Sequence, residues 1–202
     1  VAVDTRQRIE AAASSLLEER SFAEITTRDV AVRAGISEAT LFRHITSKTD
    51  LFLTVYGHQM DLIMDSCEQR EIAYSTKSST TAAAYVDRIL AIYQARAEYY
   101  QDNFTNAAEY VLASFDPSSP RKPRTLSQGE RMIRLVETVL VEASENGRLR
   151  TGGSPRLIAE NIHAVELHEI IRTPLREYAV AQMWDRLRPR IEFILESALV
   201  EP

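Results

Sequence analysis

The chain has 202 residues, 45% of them hydrophobic, enough to bury a sizeable core in one or two domains. It has no apolar run of membrane-spanning length and no leader-like basic head followed by an apolar body, so a cytoplasmic location is expected and a membrane partner is not. A single cysteine, Cys67, excludes an intrachain disulfide, and the formal charge of −5 excludes a bulk basic footprint for nucleic acid.

In chain order, Ile9, Ala12, Ala13, Leu16 and Leu17 form one apolar stripe and predict a helix from Asp4 to Arg20. Thr26 is the predicted N-cap of a short second helix, with Asp29 three residues on as a carboxylate variant of the capping box. Val30 and Ala31 face inward, and Gly35 ends that helix where the chain must reverse with positive φ. Ser37 caps a third helix, Glu38–His44, anchored inward by Leu41 and closed by Ile45. This leaves Ala39, Thr40, Arg43 and His44 on or near the outward face, beside Ser37 at its start. Thr40 and Arg43 are three apart and share that face. A threonine can meet a thymine methyl or a phosphate, and an arginine can pair bidentately with guanine. Arg28, Arg33 and Lys48 are placed to meet phosphates, contacts that orient a protein without reading sequence. Ser47 to Asp50 again resembles a capping box, whose free N–H groups suit a phosphate. Small, glycine, capping and apolar residues at these spacings predict a helix-turn-helix for double-stranded DNA. The competing reading is a compact helical hairpin inside a larger bundle.

A long helix is predicted from Asp50 to about Arg70, interrupted in propensity by Gly57, which marks close packing or a soft point. Ser75 to Thr81 reads as a loop and cap. Helices follow over Thr81–Tyr100 and Asn103–Phe115. Asp116 to Arg124, with three prolines and three basic residues, reads as an exposed loop, with a DNA-contacting arm as the lesser alternative. Ser127 to Glu130 predicts a capping box before a helix that stops at Asn146-Gly147. Ser154-Pro155 opens the next helix, which should halt before Pro174. The last helix spans about Val180 to Val200, with Pro189 kinking it or marking its true start. No strand-like alternation appears, so the fold class is all-α, with about nine helices.

From Arg8-Ile9-Glu10-Ala11-Ala12 through Phe22, Thr27, Asp29-Val30-Ala31, Ala34-Gly35-Ile36-Ser37, Thr40-Leu41-Phe42-Arg43-His44 and Ser47-Lys48 to Asp50-Leu51-Phe52, the sequence resembles the tetracycline-repressor (TetR) family of bacterial transcription regulators. The resemblance covers roughly the first quarter of the chain. It implies a three-helix DNA-binding domain over residues 1–47 and a helical effector-binding and dimerisation domain over 48–202. It also implies that Thr27, Thr40, Arg43, His44 and Lys48 touch DNA. Phe42 departs from the pattern: many members have a tyrosine there whose hydroxyl binds phosphate, so Phe42 is left to pack on the sugar backbone.

The last two helices carry more apolar residues than one buried stripe needs: Ile158, Ile162 and Val165 on one, Leu187, Ile191, Ile194 and Ala198 on the other. A core that wraps them fully is one reading; the resemblance favours a two-fold interface in a homodimer. Tyr93, Tyr100, Phe104, Tyr110, Met132 and His163 suit a pocket for a flat apolar effector, or ordinary aromatic core. The alternative function is a carboxylate/histidine metal-binding bundle enzyme, because Glu160 to His163 fits a Glu-x-x-His pattern. Such sites need a second pair, and His44, His58 and His168 follow Leu41, Val55 and Val165 three positions earlier. With no glycine-rich phosphate loop and no nucleophile elbow, neither an enzyme nor a cofactor is expected. The expected function is a ligand-responsive regulator, most simply a repressor, that binds a palindromic operator as a dimer.

Overall fold

A computed structural model describes residues 4–20, 24–74, 80–102, 104–112, 115–117 and 122–200. The helices are α1 (Thr5–Glu19), α2 (Thr27–Ala34), α3 (Glu38–Leu41), α4 (Lys48–Tyr74), α5 (Ala82–Asp102), α6 (Phe104–Leu112), α7 (Lys122–Glu145), α8 (Pro155–Leu175) and α9 (Met183–Ala198). A 3-10 turn, Val180–Gln182, leads into α9. Among the described residues the one trace of β-structure is a bridge between Leu149 and Leu199. The expected loop over residues 75–79, Phe22, and the stretch 118–121 lie outside the described residues, as does the side chain of Phe104.

Two compact units divide the chain, Val1–Gln59 and Met60–Pro202. The boundary read from the sequence, at 47/48, coincides with the start of α4. The division within α4 arises because Leu51, Phe52 and Val55 pack into the core of the first unit.

That core gathers Ile9, Ala13 and Leu16 of α1, Val30 and Ala31 of α2, and Leu41 of α3, all essentially without solvent exposure. Local chemistry fixes the helix ends. Asp4 accepts from the Arg6 N–H at the head of α1. Thr26 and Asp29 close a reciprocal capping box: the Asp29 N–H donates to Thr26 Oγ1 at 3.1 Å and the Thr26 N–H to Asp29 Oδ2 at 2.8 Å. Gly35 ends α2 at φ 66°, and Arg8 donates to the carbonyls of Ala34 and Gly35 that the helix end leaves unpaired.

In the second unit α8 packs against α7 and α9, α5 against α7 and α9, and α6 against α8. Tyr85, Ile89 and Tyr93 of α5 meet a core continued by Met132, Val136 and Val139 of α7 and by Leu187, Ile191 and Leu195 of α9. Several sequence expectations are corrected here. α7 begins at Lys122, so Ser127–Glu130 is helix interior rather than a cap; Pro123 in the first turn, where no N–H is needed, starts the helix earlier. Arg124 therefore is part of a helix and forks onto Asp61 Oδ2 at 3.0 and 2.7 Å. α8 runs through Pro174 in its last turn to Leu175. α9 begins at Met183, upstream of Pro189; that proline is exposed, as is Asp185, whose carbonyl loses its helical donor to the solvent side. Ser154 caps α8 as expected, accepting from the Leu157 N–H at 3.3 Å.

Candidate functional site

In the first unit α2 and α3 present a short, exposed turn. Ser37 Oγ accepts from the Thr40 N–H at 3.1 Å and lies 3.0 Å from Thr40 Oγ1. Arg43 donates to the same Thr40 oxygen at 2.9 Å. α3 is shorter than the expected Glu38–His44. After Leu41 the chain tightens, with the Arg43 N–H donating to the Thr40 carbonyl at 3.2 Å and His44 to Leu41 at 2.8 Å. Ser37, Ala39, Phe42, Arg43 and His44 are exposed, and Thr40 is half-buried over the buried Leu41. Phe42 is 52% exposed, an apolar ring in water with no core partner to explain it. Thr27 and Lys48 are half-buried and Arg28 is exposed.

Arg33 does not stand free for a phosphate. It forks onto Glu19 at 2.8 and 2.7 Å and donates to Ser15 at 2.7 Å, tying α2 to α1. The hydrogen bond from Arg33 holds the Glu19 carboxyl below its usual range. Thr26, through its backbone and then its hydroxyl, does the same for Asp29.

The second unit holds a cavity of about 290 Å³. Its wall includes Met60, Arg96, Tyr100, Tyr110, Ile133 and His163. Of the residues proposed from sequence, Tyr100, Tyr110 and His163 are thus brought together. Tyr93 and Met132 are fully buried in the core and are not part of this wall. Sequence reasoning missed Arg96, Gln128 and Glu166. Arg96 donates to Glu166 Oε1 at 2.9 Å and to the Tyr100 hydroxyl at 2.6 Å, and Glu166 Oε2 meets His163 Nδ1 at 3.1 Å. Burial alone would push the Glu166 carboxyl up, but the charge of Arg96 and the hydrogen bond from His163 outweigh it and hold the carboxyl below its usual range. Burial pushes the Tyr100 phenol up, so it remains a neutral hydroxyl. Gln128 accepts from the Tyr110 hydroxyl at 3.0 Å and donates to Asp61.

The Glu160–His163 pair does not converge. Glu160 is held by Arg156 at 2.7 Å, whereas His163 turns to Glu166. Of the residues proposed for an interface, Ile162, Leu187 and Ile191 are buried within the chain's own core. Ile158, Val165, Ile194 and Ala198 instead line an open groove between α8 and α9. Leu157 and Phe193, on the same two helices, are 59% and 74% exposed.

An exposed turn between α2 and α3 on a three-helix core is the arrangement of a helix-turn-helix domain. Residues 9–55 match the model for bacterial regulatory proteins of the tetR family. No curated protein sequence matches the chain. Among solved structures, a TetR-family transcriptional regulator from Mesorhizobium loti is 16% identical, with 97% of each chain covered and a TM-score of 0.67. The FadR repressor of Thermus thermophilus, solved with lauroyl-CoA, is 20% identical over 98% of this chain and 96% of that one, with a TM-score of 0.64. FadR of Bacillus subtilis, solved with stearoyl-CoA, is 13% identical over 91% and 96%, with a TM-score of 0.61. At these identities the structures share the fold. The family match thus covers the first unit, while over its whole length the chain shares the fold of these regulators. No helix among the described residues is long and apolar enough to cross a membrane.

Proposed function

We propose that the protein is a ligand-responsive repressor that binds a palindromic operator as a homodimer and is released by a small apolar effector. The observation that carries the DNA half of this reading is the exposed Thr40–Arg43 turn over the buried Leu41 anchor. Thr40, Arg43 and His44 read bases, while Thr27, Arg28, Ser37, Ala39, Phe42 and Lys48 position the helix against the backbone. One four-residue helix reads few base pairs. Two copies on half-sites about 34–36 Å apart multiply that specificity. The apolar groove of Ile158, Val165, Ile194 and Ala198, with Leu157 and Phe193 exposed nearby in sequence, supports α8 and α9 as the surface that joins the copies.

The cavity around Tyr100, Tyr110 and His163 is the effector site in this reading. The acyl chains held by the two FadR proteins support an apolar occupant. α4 carries Leu51 and Phe52 of the DNA-binding core and Met60 of the cavity wall on one continuous helix, which makes it the element an effector acts through. The effector lowers DNA affinity only by binding the released state more tightly. Footprinting on the DNA flanking the gene, followed by a small-molecule screen for release, tests the whole. A symmetric footprint that an apolar compound abolishes is expected; absence of any protected site sinks the reading.

A further inference from the structure

The cavity wall contains several polar side chains, and most are already engaged by protein. Tyr100 accepts from Arg96, Tyr110 donates to Gln128, and Gln128 donates on to Asp61. Glu130 takes two bonds from Arg156, at 2.8 and 2.9 Å, and Arg134 also faces it. His163 differs. Its Nδ1 meets Glu166 Oε2 at 3.1 Å, while its Nε2 has no hydrogen-bond partner among the described residues. Glu166 is a carboxylate and can only accept, so Nδ1 carries the proton of that bond. In the neutral ring Nε2 is then an acceptor. The buried charges around it, Arg96 and Glu166, already cancel.

Gly129 shapes the approach. A Cβ there would lie 3.0 Å from His163 Nε2, so the absence of a side chain keeps that side of the nitrogen clear. Nothing at this turn of α7 demands glycine for its backbone, which is ordinary helix. Glycine in a helix interior is otherwise a liability of about 1 kcal/mol.

Resting on the reading of this cavity as the effector site, we infer that its occupant is a compact apolar molecule bearing a hydroxyl that donates to His163 Nε2. Against the neutral ring, a carboxylate would bring a second acceptor to a lone pair beside a neutral ion pair. An ether or hydrocarbon would displace any water from Nε2 without replacing its bond. Size agrees with a compact ligand: an engineered cavity of about 150 Å³ holds benzene, so one of about 290 Å³ takes roughly a dozen heavy atoms.

The test is calorimetric titration of the full chain at mildly alkaline pH with para-hexylphenol, its methyl ether para-hexylanisole, and para-hexylbenzoate. The phenol is expected to bind about tenfold more tightly than the ether, the difference made by one buried hydrogen bond. Gly129→Ala, which leaves every charge in place and favours the helix, should bring the ratio close to one. His163→Phe should do the same, with thermal melts confirming that each variant is folded. A merely structural His163 would lower both affinities together and leave the ratio intact. Equal affinities in the parent protein, no binding of the phenol, tighter binding of the benzoate, or a ratio that survives both variants overturns the inference. Release of footprinted DNA, read separately by fluorescence anisotropy, keeps the two claims apart. A phenol that binds with the expected ratio yet releases no DNA supports the hydroxyl contact and removes the effector role.

Discussion

Arg96 Nε donates to Glu166 Oε1 at 2.9 Å, and both side chains are almost wholly removed from water. A pair so placed is strongly asymmetric to mutation. Arg96→Met strands a buried carboxylate and should cost about 3–5 kcal/mol, whereas Arg96→Met combined with Glu166→Leu should cost much less, because no charge is left alone. Urea denaturation of the two variants checks this.

The same pair sets an acid limit. The folded-state Glu166 carboxyl is held below its unfolded value, so its contribution is fully present above about pH 4.3 and is lost as the pH falls through the lower folded value. Stability should therefore decline below that point, and the decline should be shallower in the double variant. Thermal melts across the acid range measure it.

Arg43→Ala should weaken operator binding by about 1–3 kcal/mol if the guanidinium reads a base. The Thr40 contact holds the side chain in place before DNA arrives, so Thr40→Val should lose part of the same energy. Anisotropy titrations on operator and random DNA decide the role: equal loss on both assigns Arg43 to phosphate.

Gly35 sits at φ 66°, and a Cβ there would lie 3.1 Å from Arg8 Nη2, the group that caps α2. Gly35→Ala should destabilise the protein by about 1–2 kcal/mol through backbone strain, before any cost of displacing Arg8. The loss should appear in denaturant titration. An unchanged midpoint would falsify the account of this turn.

How much of this was readable beforehand depended on the range of the interaction. The Thr26–Asp29 box, the Ser37 cap, Gly35 and the Ser154-Pro155 start are decided within four residues, and the sequence shows them directly. The start of α7 was not, since three prolines and three bases between Asp116 and Arg124 read as loop while Pro123 serves a first helical turn. In the sequence Arg33 looks like a phosphate contact because its partner Glu19 lies 14 positions away on another helix. The polar side of the cavity was hidden for the same reason. Arg96 and Glu166 are 70 residues apart, and each alone reads as a surface charge. A signal existed: Arg96 falls on the stripe Tyr85, Ile89, Ile92, Tyr100, and Glu166 on the stripe Ala159, Ile162, Ile170, so opposite charges interrupt two buried faces.

The groove residues yield one more expectation. Ile194→Asp should convert the proposed dimer to a monomer without unfolding it, because Ile194 lines the open groove while the neighbouring Leu195 holds the core. Light scattering reads the mass and circular dichroism the fold. A dimer that persists with Asp at this position places the interface elsewhere.

Asp61, Asp65 and Glu68 of α4 face Arg124 and Arg131 of α7 across a ladder of ion pairs, the shortest of them 2.6 and 2.7 Å. Charges that water can partly reach trade partners easily, where interlocked hydrocarbon must come apart to move. The paired face of the two helices is therefore their adaptable side, beside the buried methionines that fix them. On this face an arginine can exchange one carboxylate for the next at little enthalpic penalty, and added salt should loosen its grip.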